Sequence, residues 1–207
     1  MRTEEQLDRY RARRERTYRR LDALLATSAA RPVGTAGTTP TTKEPVMSTT
    51  TSSNTLHLDV PAGVPWIDFT REFDAPVTAV FDAHRDPEKV TRWLGPRGYE
   101  MRVERWDFVA GGSYRYEHVT DHGTFGFRGV FHEVRENEFA LQTFEFDGAP
   151  DEVALEFMWF EDLGDGRTRL RGRSIGRTVE GRDAMVESGM EQGMVQSYER
   201  LEELVTG

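Results

Sequence analysis

Between residues 99 and 174 polar and apolar positions alternate with period two. Residues 99–108, 113–119, 124–134, 139–146, 152–160 and 167–174 each read as a half-buried strand. The joins are short: AGG at 110–112, DHG at 121–123, REN at 135–137, DGAP at 147–150 and LGDG at 163–166. Connections of that length predict an antiparallel meander, because parallel pairing needs crossovers of about a dozen residues. Upstream, WIDFTREF sets Ile67 and Phe69, with Arg71 as a candidate third, against Asp68, Thr70 and Glu72, which predicts a first strand. Pro76 then opens a short helix with Val77, Val80 and Phe81 on its apolar face, and Asp86-Pro87 opens a second that stops at Gly95-Pro96.

Residues 179–205 change period. Val186, Met190, Met194, Tyr198, Leu201, Leu204 and Val205 fall within an arc of about 120°, while Val195, Glu199, Glu202 and Glu203 point elsewhere. The expectation is one long amphipathic helix covering a curved seven-stranded antiparallel sheet, an α+β fold. Its N-terminal half carries Met185, Met190 and Met194 beside Gly189 and Gly193, where a tightly packed helix favours Leu and Ala. Leu201 and Leu204 are therefore read as an anchor. The Met/Gly half roofs a cavity or a deformable contact surface, with ordinary core filling as the alternative.

The segment before Trp66 reads differently. Residues 3–26 predict a short charged helix with Leu7, Tyr10, Tyr18, Leu21 and Leu25 near one stripe, which Arg14 interrupts. Residues 27–65 shift to Ser, Thr, Ala, Pro and Gly, a composition that cannot bury enough apolar surface to offset chain entropy. The division is thus an arm at 1–65 and a folded domain at 66–207, with Met47 expected as the start of translation.

Charge and composition narrow the function. The formal charge is −9, but residues 1–46 hold 10 Lys/Arg against 6 Asp/Glu, leaving 17 against 30 in the remainder. An acidic main domain argues against a nucleic-acid groove within it. The absence of cysteine excludes disulfides, Cys-zinc sites and thiol catalysis. No apolar run of about 18 residues occurs, so no membrane span is expected and a cytoplasmic location is. Neither a phosphate loop, a nucleophile elbow nor His-Glu-x-x-His is present, and no cofactor or metal is expected. His118, His122 and His132 form a weak metal-ligand set at best.

Several stretches in order are recognisable: REFDAPVTAVFDAHRDPEKVTRWLGP, WDFVAGGSYRY, GVFHEVRENE, TFEFDG and VEGRDAMVESGMEQGMVQSYERLEELV. Together, over residues 67–206, they resemble the START-like (SRPBCC) superfamily, in the branch related to the activator of the heat-shock protein 90 ATPase. The resemblance implies a helix-grip fold, in which the sheet wraps the last helix and leaves a cavity between them. It implies three possible roles: binding a small hydrophobic or aromatic ligand, a cochaperone-like contact with a chaperone ATPase, or a polyketide cyclase/aromatase-like reaction.

The residues describe such a cavity too. Tyr114, Tyr116 and His118 share one strand face, as do Val153, Leu155, Phe157 and Trp159 on another strand. Arg167, Arg169, Arg171 and Arg173 mark an outer face, a solvated row or an anion- or chaperone-facing stripe, which puts Leu170, Gly172 and Ser174 inside as a low floor. The expected ligand-binding residues are Trp93, Tyr114, Tyr116, His118, Phe127, Phe144, Phe157, Trp159, Met190 and Met194, with Tyr114 or His118 supplying a hydrogen bond. An acid/base role for Arg105, Glu117 or Asp107 would need one of them inside the cavity.

Overall fold

The computed structural model describes residues 54–207. The helix expected at 3–26, most of the linker and Met47 lie outside the described residues. Eight strands form one antiparallel sheet: β1 (His57–Asp59), β2 (Trp66–Phe73), β3 (Glu100–Trp106), β4 (Ser113–Thr120), β5 (Gly123–Arg135), β6 (Phe139–Phe146), β7 (Ala154–Gly164) and β8 (Arg167–Ile175). Their order across the sheet is β1-β2-β8-β7-β6-β5-β4-β3. Helices α1 (Val77–Arg85) and α2 (Pro87–Trp93) follow β2, and α3 (Val179–Glu187) and α4 (Met190–Thr206) close the chain.

The meander and the two early helices are those read from the sequence, and the eighth strand is an addition. It falls in the stretch assigned to the linker: His57, Leu58 and Asp59 pair with Thr70, Phe69 and Asp68, and Leu56 is buried in the core. One apolar anchor and a partner edge suffice to order a segment too short and too polar to show a periodicity of its own. Ladder irregularities at Val103/Arg105, Phe131/Glu133 and Asp162/Gly164 bend the strands they interrupt.

The last helix is broken where the sequence pattern runs straight through. Ser188 and Gly189 separate α3 from α4, and Gly189 adopts φ +78°, the left-handed conformation that glycine enters without a Cβ penalty. The Ser188 hydroxyl donates to the Met185 carbonyl at 2.7 Å, and the Ser188 backbone N–H reaches the same oxygen at 3.2 Å, which closes the last turn of α3.

α4 is held along its C-terminal half. Leu201 is fully buried, and Tyr198 meets Phe69 at 5.6 Å, Phe73 at 6.1 Å and Trp93 at 6.1 Å. Glu202, placed away from the apolar face in the sequence reading, points down at β2. It accepts from the Asp74 backbone N–H at 3.0 Å and from Arg71 at 3.5 Å, and Arg71 is only 5% exposed. Arg71 is thus the inward third residue of the first strand, carried over the Phe73 ring at 5.2 Å. A buried guanidinium stripped of its carboxylate is more costly than the pair is favourable. Glu202→Ala is therefore expected to destabilise the domain by about 2–3 kcal/mol in urea unfolding, whereas Arg71→Met combined with Glu202→Leu recovers most of that loss.

Candidate functional site

Between the sheet and the N-terminal half of α4 lies a cavity of about 360 Å³, at the lower end of the ~300–1,000 Å³ typical of small-molecule sites. Met190, Gly193 and Met194 roof it, with Met185 and Ser188 at the junction of α3 and α4. Trp106, Phe108 and His84 bound one end. The other end is formed by the turn after α2 (Leu94, Gly95 and Pro96) together with Phe125, Phe146, Ala149 and Glu152.

The long wall is a continuous file of rings. Alternation along β4 turns Tyr114, Tyr116 and His118 inward, all at most 6% exposed. Tyr114 and Tyr116 stack at 6.0 Å, Tyr116 on Phe127 at 5.1 Å, and Phe127 reaches Phe144 at 5.5 Å and Phe146 at 5.2 Å. The Tyr114 hydroxyl donates to the Thr143 carbonyl at 2.8 Å, so it ties β4 to β6 instead of pointing a free hydroxyl into the cavity. Gly95 lets the helix pair approach this wall. A Cβ there would sit 2.3 Å from His118 Cε1, and the Gly95 N–H donates to Ser197 of α4 at 3.0 Å.

Eight of the ten residues expected from sequence border the cavity with their rings or thioethers: Trp93, Tyr114, Tyr116, His118, Phe127, Phe144, Met190 and Met194. β7 is the exception. Its odd positions face outward, so the Phe157 ring stacks on Trp159 at 5.7 Å on the outer surface while the strand itself borders the void. Trp159 is not a lining residue: it packs on Phe139 at 5.7 Å and lies under the Arg171 guanidinium at 5.2 Å. The floor also differs, because the Phe69 ring occupies the space above Gly172 that its missing side chain leaves.

The reversed parity brings in Glu156, which sequence reasoning missed. It stands on the inner face between Ala154 and Met158, and one carboxylate oxygen accepts from Gln142 Nε2 at 2.8 Å. The signal was available, since pairing β7 with β8 through the tight turn sets Phe160 opposite Leu170 and Met158 opposite Gly172. Once the arginines are placed outside, the even positions of β7 must face in. Burial raises the Glu156 pKa above the ordinary carboxylate value and the Gln142 hydrogen bond opposes this in part. Burial, with the Glu156 charge behind it, likewise raises Tyr114, Tyr116 and Tyr198.

The three charges considered for acid/base work from sequence take no part. Arg105 is exposed and bonds Ser113, and neither Glu117 nor Asp107 lines the cavity. The outer arginine row is paired with acids: Arg167 and Arg169 with Glu72, Arg171 with Glu161, Arg173 with Asp68. These guanidiniums are engaged, which argues against a stripe free for anions. Of the three candidate histidines only His118 borders the cavity, and His122 and His132 are exposed.

His118 and His84 are held as neutral rings. Burial lowers both pKa values to about 4, aided at His118 by the Arg200 charge and opposed at His84 by its hydrogen bond to the Val80 carbonyl. His118 Nδ1 and His84 Nε2 have no partner. Because the folded values lie below the unfolded value near 6.5, the contribution of each ring is complete above that pH and is lost as pH falls toward 4. Ring-proton NMR is expected to show neither histidine titrating above about pH 5 in the folded protein.

Comparison with known proteins adds to this geometry. The family model described as activator of Hsp90 ATPase homolog 1-like protein matches residues 74–206. An Arthrobacter aurescens protein solved by NMR is similar at 25% identity and TM-score 0.67, over 72% of this chain and 91% of that one. A Rhodobacter sphaeroides crystal structure is similar at 22% identity and TM-score 0.68, over 73% and 98%. DynU16, a protein of the dynemicin biosynthetic locus, shares the fold at 18% identity and TM-score 0.54, over 69% and 47%. A search of curated proteins finds no significant match. Among the described residues no helix is long and apolar enough to cross a membrane.

Proposed function

The chain belongs to the activator of Hsp90 ATPase homolog 1-like family, within the START-like superfamily, and on that premise we propose that it is a binding protein for a small hydrophobic or aromatic molecule. The observation that carries this reading is the void of about 360 Å³ beneath Met190, Gly193 and Met194, walled by stacked rings. A closely packed interior has few voids larger than a water molecule, and apolar groups left facing empty space forgo dispersion contacts. A ligand supplies those contacts. Thioethers overhead adapt to its outline because Met has three rotatable bonds and no branching.

The family description supports a second reading, a module that docks on a chaperone ATPase. It uses outer surfaces and leaves the cavity idle. The two separate in one experiment, since a change in chaperone ATPase rate that survives filling of the cavity favours docking. A reaction of the polyketide cyclase kind would draw its acid from Glu156, a carboxyl on the cavity's inner sheet face, before Arg105, Glu117 or Asp107.

Filling the void from within is the direct test. Met194→Trp is expected to keep or raise the melting temperature of the free protein and to abolish the thermal stabilisation given by apolar aromatic compounds. For the native chain that stabilisation is about 2.7 kcal/mol at a hundredfold excess of ligand over Kd. A native chain that no compound in a broad apolar panel stabilises would contradict the proposal.

A further inference from the structure

Glu156 makes the cavity chemically one-sided. Its neighbours among the described residues are Gln142, which donates to one carboxylate oxygen, and the rings of Tyr114, Tyr116 and Tyr198, whose pKa values its charge helps raise. None of these is a cation, and the other acid that borders the cavity, Glu152, stands at the end formed with Phe125, Phe146 and Ala149. Arg71, whose charge acts on Tyr198 from the β2 side, is engaged with Glu202 and does not line the void. Arg200, near His118, donates to the Gly95 and Pro96 carbonyls and does not line it either. Arg173 borders the cavity along its strand but directs its guanidinium to Asp68. His84 and His118 are held neutral by burial, so they offer no positive charge.

From this arrangement we infer that the cavity selects an apolar or aromatic ligand carrying a hydrogen-bond donor, an amine or a hydroxyl, and rejects its carboxylate counterpart. The inference rests on the binding reading above and specifies its ligand. Two acceptors face the donor: the Glu156 carboxylate, which has oxygen lone pairs beyond the one Gln142 uses, and the amide oxygen of Gln142 itself, whose nitrogen is turned to Glu156. An ammonium supplies the counter-charge that Glu156 lacks, and a hydroxyl donates without adding charge. A second carboxylate would set a like charge beside Glu156 in a poorly solvated site, so one of the two would have to take up a proton. Glu156 stands on β7 at the centre of the sheet, between β6 and β8, and is tied to Gln142, so it meets the ligand inside the cavity and not at a sheet edge.

The test uses three probes with one apolar body: 1-naphthylmethylamine, 1-naphthylmethanol and 1-naphthoate. Each is titrated by calorimetry at neutral pH into the full chain and into Glu156→Gln and Glu156→Leu. The native chain is expected to bind the amine and the alcohol roughly tenfold or more tightly than the carboxylate. Glu156→Gln should erase the amine's advantage over the alcohol, and Glu156→Leu should weaken both while admitting naphthoate better. Far-ultraviolet circular dichroism on each variant establishes that it is folded. If all three probes bind the native chain alike, or naphthoate binds best, the inference is overturned while the cup stands. If none binds, the cup itself fails and the inference with it.

Discussion

Arg71 is a charge on the inward face of β2, and among the described residues its ion-pair partner comes from the last helix. Glu202 pairs with it from α4 while also accepting from the Asp74 backbone and from Asn54 at 3.4 Å, so one carboxylate links the helix, the second strand and the segment before β1. The geometry of the molecule depends on this clasp and on Leu201 and Tyr198 beside it. α4 lies down where they hold it. Towards its N-terminus Met194, Gly193 and Met190 rise over the sheet, and at Gly189 the chain turns into α3. A cavity is what remains when a helix is held down at one end of its length and lined with adaptable or missing side chains at the other.

The ring file on the opposite wall explains why the cavity does not collapse. Tyr114, Tyr116 and Phe127 are stacked on one another and tied to β6 through the Tyr114 hydroxyl, so each ring is braced by neighbours instead of by the roof. Aromatic rings held this way present flat, rigid surfaces with little rotamer freedom left to fill space. Glu156 adds a strongly polar group on the sheet wall, fixed by Gln142. A largely apolar chamber with a braced carboxyl on its sheet wall is suited to orienting a ligand, and its preference is set by which groups that carboxyl tolerates.

Much of this was legible in the sequence because period-two alternation survives wherever one strand face is wet. On β4 it placed Tyr114, Tyr116 and His118, and on β8 the outer arginines marked the inner face by exclusion. β7 misled because both of its faces are apolar: Leu155, Phe157 and Trp159 outside, Ala154, Met158 and Phe160 inside. Trp159 outside is protected by Arg171 and Phe139, a cross-strand arrangement no single-strand pattern displays. The break at Gly189 was equally hidden, since the apolar stripe stays in phase across it and only the glycine marks the change. β1 was missed because three residues carry no period.

The account stands on a real void beneath Met190 and Met194. Dry apolar cavities take up xenon, so diffraction from crystals held under xenon pressure examines the space directly. A xenon atom seated among Tyr116, Phe127 and Met194, with those side chains unmoved, is the predicted result. Methionines in van der Waals contact with the ring wall, and no xenon between them, would contradict it.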